Sequence, residues 1–85
     1  VLALTAADKG NPSCVTDAGS ASQMIRAGAL SAAYNVRVNL PSVENPVARE
    51  ELRARTAKVL QEVMDEAQRT ENIVEARLQR LHTGA

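Results

Sequence analysis

Residues 11–40 read NPSCVTDAGSASQMIRAGALSAAYNVRVNL, and the fold turns on how this stretch is read. It opens on an Asn-Pro turn signal, continues as a run dense in alanine, and ends with Asn35, Arg37 and Asn39 spaced through apolar residues. Thr16 or Asp17 is the natural N-cap, because either side-chain oxygen can accept a bond from an orphan backbone N–H. A helix is then expected over residues 18–37. One stripe reads Ala18, Ala21, Ile25, Ala29, Ala32 and Val36, and the adjoining stripe reads Met24, Ala27, Leu30, Tyr34 and Val38. Together they cover most of the circumference, so this helix is expected to be buried between neighbours. Gly19, Gly28 and the alanines let those neighbours approach closely. Gly28 in mid-helix costs about 1 kcal/mol against alanine, so it calls for a packing reason.

Residues 34–40 alternate apolar with polar, which taken alone is a strand pattern. A lone short strand with no partner strand in the chain is poorly supported. The reading is therefore of the last helical turns passing into an extended segment before Pro41.

Downstream, residues 41–45 form a loop. Asn45 caps a second long helix and Pro46 takes its first position. Glu50 and Glu51 lie near its positive end. The helix is expected to reach about Leu81, with a kink near Thr70-Glu71-Asn72. Leu60, Ala67, Val74 and Leu81 repeat every seven residues, and Val59, Val63, Met64, Ile73 and Leu78 widen the stripe. The opposite face is charged, with Glu51–Arg55 and Asp65–Arg69 spaced for i,i+4 pairing. This is an amphipathic helix with one face on a bundle or dimer, followed by a short frayed tail.

Upstream, residues 1–8 have the composition of the last turns of a helix. Lys9, Gly10 and Pro12 supply a stop signal. A helix this short is marginal in water. The expectation is therefore a single partial domain over residues 1–85, the C-terminal part of a larger all-α domain.

Composition narrows the function classes. Chains of 85 residues bury little surface on folding, and a lone cysteine, Cys14, makes no internal disulfide. Oligomerisation or further chain is the expected remedy. Ten basic and ten acidic residues cancel, which leaves no electrostatic footprint for nucleic acid or an anionic membrane surface. Tyr34 is the only aromatic residue, so base-stacking platforms are absent. No apolar run approaches the ~20 residues that span a bilayer. No leader is visible, and the expected location is cytoplasmic.

No paired-cysteine metal site, phosphate-cradling loop, GxSxG or HExxH occurs, and no metal is expected. Cys14 sits near a helix N-terminus, where a thiol pKa can fall, but no basic partner is placed beside it. His82 sits at the end of the last helix, where a cation is favourable. Asp17 is a helix cap, or a cap that also lines a site. Asn35, Arg37 and Asn39 follow an apolar helix in which polar groups need partners. They read either as a polar pocket wall, with Arg37 as a fork for a carboxylate or phosphate, or as side chains bonded to neighbouring backbone and a carboxylate.

Gly10-Asn11-Pro12, then Thr16-Asp17-Ala18-Gly19, then residues 33–40, AYNVRVNL, resemble the C-terminal part of the cyclodeaminase/cyclohydrolase family. That family includes the cyclodeaminase domain of formiminotransferase-cyclodeaminase and stand-alone methenyltetrahydrofolate cyclohydrolases. The family pattern looks like GNxxxxSDxxVA, a small-residue helix, then GAxxNVxINL and a long terminal helix. Thr16 replaces the usual Ser, Ser22 departs from the pattern, and Val38 replaces Ile. The resemblance covers about residues 10–81.

It implies a dimerising all-helical bundle with a folate pocket near the subunit interface. It implies a tetrahydrofolate derivative as substrate, with no prosthetic group. The reaction implied is cyclodeamination of 5-formimidoyltetrahydrofolate to 5,10-methenyltetrahydrofolate with release of ammonia, or alternatively hydrolysis of the methenyl compound. The acidic residue usually assigned as proton acceptor would lie upstream of Val1. Asp17, Asn35, Arg37 and Asn39 are the substrate-binding candidates. A non-catalytic helical oligomerisation module remains the competing class.

Overall fold

A computed structural model of the chain describes residues 12–83. Among them, two helices form an antiparallel hairpin, α1 (Pro12–Asn39) and α2 (Pro46–Thr83), joined by a 3-10 turn at Leu40–Ser42 and residues 43–45. No strand occurs among the described residues, so the all-α expectation holds. The readings of residues 1–11, of the His82 side chain and of residues 84–85 fall outside the described residues.

α1 begins at Pro12, six residues before the expected start. Proline fits a first helical position, with φ already set and no N–H to leave unpaired. Thr16 and Asp17 therefore lie inside the helix, and neither caps it. Ser13 and Cys14 stand in its first turn, not in a connector. Packing explains the extension, since Val15 is only 2 % exposed and joins Ala18 and Val74 in the core cluster. Burial there outweighs the modest helix propensities of Val15 and Thr16.

At its other end α1 continues through Asn39, and Leu40 enters the 3-10 turn, so the expected extended segment is helical. With no partner strand, the helix is what satisfies these backbone groups. The Asn39 Nδ2 donates to the Asn35 carbonyl at 2.8 Å, and the Val43 N–H closes the turn on the Leu40 carbonyl at 3.0 Å.

α2 starts as the sequence indicates. Asn45 Oδ1 accepts from the N–H groups of Val47 (2.9 Å) and Ala48 (3.1 Å), and Pro46 is the first helical residue. No acidic residue stands in the first turn, so Glu50 and Glu51 fall in the second. The helix runs unbroken through Thr70-Glu71-Asn72, where a kink was expected. Thr70 is buried, and its hydroxyl donates back to the Glu66 carbonyl at 3.2 Å without interrupting the ladder. The surface ion pairs form at i,i+3, Arg53 with Glu50 and Arg69 with Glu66, in place of the expected i,i+4 pairs.

One seam holds the hairpin. Val15, Ala18, Ser22 and Ala33 are its buried residues on α1, and Ala67, Thr70 and Val74 on α2. Gly19 permits the close approach, since a Cβ there would stand 3.3 Å from Val74 Cγ1. The described chain measures 58 × 18 × 15 Å, two helices thick at most. Among the described residues, α1 is accordingly covered on one side only. Met24 (73 % exposed) and Val38 (72 %) stand open, as do Ile25 and Tyr34, so the burial expected around most of its circumference is not supplied by α2. On α2, Leu60, Ala67 and Val74 turn toward the seam, whereas Val59, Leu78 and Leu81 are exposed.

Candidate functional site

The densest polar constellation lies across the seam. Arg26 holds Glu71 through two bonds, Nη2 to Oε1 at 2.7 Å and Nε to Oε2 at 3.2 Å. Gln23 Nε2 donates to Oε2 at 2.9 Å. The buried Ser22 hydroxyl lies 3.0 Å from Oε2 and 3.2 Å from the Ala67 carbonyl, and its single proton serves one of them at a time. Arg26 Nη1 also faces the Met64 sulfur at 3.2 Å. The hydrogen bond from Arg26 holds the Glu71 carboxyl below its ordinary range; partial burial opposes this, and Ser22 and Gln23 add to it. A carboxylate with this many donors stays ionised and is a poor proton acceptor at neutral pH. It clamps the two helices in one register. Sequence reading missed this group, although Ser22 and Arg26 sit four residues apart and Glu71 follows the buried Thr70.

The four candidate residues separate into three places. Asp17 is exposed near the start of α1, and no described residue bonds to its side chain. Asn35 and Asn39 are exposed one turn apart on one face near the other end. Asp17 and Asn35 are eighteen residues apart on one helix, which places them about 27 Å apart. They do not meet within one chain. Arg37 lies two residues from Asn35, so about 200° of helical rotation turns it to another side.

There Arg37 lines a cleft of about 430 Å³ with Ala33, Leu40, Arg53, Ala57 and Leu60. Arg53 is engaged by Glu50, and Arg37 forms no ion pair among the described residues. A neighbouring apolar groove of about 440 Å³ runs between Ala29, Ala32 and Val36 on α1 and Val59, Leu60 and Val63 on α2. An uncommitted guanidinium at the edge of apolar walls suits a ligand with an anionic group and a flat apolar body.

Among the described residues, no group of three or more His, Cys, Asp or Glu side chains is placed to hold a metal ion. No described helix is long and apolar enough to cross a membrane.

The sequence profile of the family described as formiminotransferase-cyclodeaminase matches residues 1–58 of the 85. No curated protein and no solved structure matches the chain. The matched residues take in all of α1, the connecting turn and the first turns of α2, and they include all four candidate residues. Ser22, Gln23 and Arg26 lie inside the match, whereas Glu71 lies beyond it. With a family match over more than half its length and an all-helical fold, the chain belongs to the formiminotransferase-cyclodeaminase family, in its C-terminal portion.

Proposed function

We propose that the chain is the C-terminal portion of a cytoplasmic, folate-dependent one-carbon enzyme that works as a homodimer. Its proposed reaction is cyclodeamination of 5-formimidoyltetrahydrofolate, closing the ring to 5,10-methenyltetrahydrofolate and releasing ammonia. The family match over residues 1–58 carries this reading. The reaction moves protons on folate nitrogens in a pocket that orients the substrate and limits water. In this reading the proton acceptor is supplied from outside these residues, and the chain supplies binding groups. Arg37 contacts an anionic carboxylate of the folate, while Asp17, Asn35 and Asn39 bond to its ring edge or hold pocket backbone. No prosthetic group is called for.

The test is direct. Protein plus 5-formimidoyltetrahydrofolate is followed for the absorbance of the methenyl product and for free ammonia. Product and ammonia in equal amounts support cyclodeamination. Consumption of added methenyltetrahydrofolate without ammonia points to cyclohydrolysis instead. Titration of tetrahydrofolate derivatives against the intact protein and Arg37→Ala checks the binding role, with weaker binding expected of the variant. Equal affinities would remove Arg37 from the site.

A second reading, a helical assembly module without catalysis, draws on the single-seam hairpin and its exposed α1 face. Folate-independent assembly together with absence of turnover in the complete protein would favour it.

A further inference from the structure

The Arg26 guanidinium is held at both ends, by acceptors of very different strength. Its Nε and Nη2 groups donate to the Glu71 carboxylate at 3.2 and 2.7 Å. Its Nη1 group faces the other way along α2, to the Met64 sulfur at 3.2 Å. Met64 and Glu71 stand seven residues apart on α2, about two turns along one face, and Arg26 reaches between them from α1. A carboxylate accepts charge-assisted hydrogen bonds, whereas a thioether is a weak acceptor. Among the described residues Nη1 has no other bond. The Arg26 side chain is only 28 % exposed, so water has restricted access to make good the difference.

One chemical change at Met64 would remove this mismatch. A peroxide oxidises a thioether to the sulfoxide: a sulfur lone pair attacks one oxygen, the O–O bond breaks and an S–O bond forms. The proton of the transferred oxygen goes to the departing hydroxide, which leaves as water, so sulfur is oxidised and the peroxide reduced. The product carries a polar oxygen where the thioether was apolar, and in an apolar core that change disrupts packing. Met64 is placed differently. It is half-buried, within reach of a small oxidant, and a guanidinium N–H already points at its sulfur. Its unbranched side chain turns about several bonds, which lets a new oxygen face Nη1. The groups that hold Glu71 are Nε and Nη2, so the two acceptors do not compete.

We propose that Met64 is an oxidation site sensed by Arg26: a peroxide converts the thioether to the sulfoxide, the new oxygen accepts from Arg26 Nη1, and the clamp between α1 and α2 tightens. Met24 supplies the contrast. It is 73 % exposed on the open side of α1, and its oxidation leaves the clamp untouched. The modification at Met64 is reversible by thiols, two of which take up the oxygen as water and become a disulfide. The proposal concerns the α1–α2 seam and does not depend on the one-carbon reading.

The test uses the full chain carrying Cys14→Ser and Met24→Leu, with helix content first verified by circular dichroism. The sequence has one cysteine and two methionines, so Met64 is then the only sulfur left, and a gain of one oxygen by mass locates the product. Hydrogen peroxide is the probe. Urea unfolding of the oxidised protein is expected at a higher midpoint than that of the untreated protein, with the folded-to-unfolded ratio raised several-fold. Treatment with a methionine sulfoxide reductase and a thiol is expected to return the midpoint to its starting value. A lower or unchanged midpoint after oxidation overturns the proposal, as does a raised midpoint that persists once the oxygen is removed. A second readout needs no change at Arg26. In the folded protein, the Arg26 guanidinium N–H resonances are expected to shift and to exchange more slowly with water after oxidation. Resonances that stay where they were overturn the assignment to Nη1 even if the midpoint rises.

Discussion

Ser22 offers one proton to two acceptors, the Ala67 carbonyl and the Glu71 carboxylate, from a position only 2 % exposed. In Ser22→Ala both lose it, but the Glu71 carboxylate keeps Arg26 and Gln23. The expected cost is therefore that of one ordinary hydrogen bond, about 0.5–1.5 kcal/mol, measured by urea unfolding. A variant as stable as the parent would show that the hydroxyl contributes nothing to the clamp. Glu71 sets a pH dependence. Its bond to Arg26 lowers its pKa in the folded chain below the ordinary 4.5, so the folded state takes up a proton less readily than the unfolded state. The stabilisation is present above that ordinary value and is lost as the pH falls through the lowered one. Glu71→Gln is expected to flatten this acid limb of the stability curve, while leaving a Gln that still accepts from Arg26. An unchanged acid limb would move the cause to other carboxylates. None of this was legible in the sequence. Ser22 and Arg26 reach partners 45 to 49 residues away, and no local spacing rule specifies which α2 residue arrives opposite them.

Helix starts were legible only where the flanking residues agreed. The dipeptide Asn-Pro occurs twice, at residues 11–12 and 45–46. At Asn45-Pro46 the preceding loop left one interpretation, and the side-chain cap is in place. At Asn11-Pro12 the expected reading was a connector, with the helix starting near Ala18, yet α1 begins on that proline. The local chemistry permits either; the burial of Val15 decides, and burial is not a property of the dipeptide. The strand-like alternation over residues 34–40 shows the same limit. Read as a strand, it would align Asn35, Arg37 and Asn39 on one face. The helix instead places Arg37 in the cleft beside Arg53 and leaves the two asparagines outside it. At this scale Asn45→Ala is expected to cost about 1 kcal/mol, with Asn45→Asp retaining most of the cap. The comparison is read by thermal unfolding. Equal losses in both variants would mean that the Oδ1 bonds to Val47 and Ala48 are not what starts α2.

Across the whole molecule, the all-α class and the family were both legible, because alanine density, heptad spacing and the AYNVRVNL segment are local records. What covers α1 was not, since two apolar stripes can specify that neighbours exist but not that α2 supplies only one of them. The described chain has one seam, built from small residues such as Ala18, Ala33 and Ala67. Meanwhile Met24, Tyr34 and Val38 remain more than half exposed. A seam of alanines buries little area per residue, and area is what drives helices together in water. A hairpin held this way is expected to borrow stability from association. Because a partner that binds only the folded state stabilises it by mass action, the melting temperature of the full chain should rise with protein concentration. Helix content should fall on dilution in step with the loss of dimer seen by sedimentation. Met24→Ser would weaken this dependence, since it removes apolar surface from the open face of α1 without touching the seam. A melting temperature constant across a wide dilution series would show that the single α1–α2 seam suffices, and that the exposed stripe contributes nothing to folding.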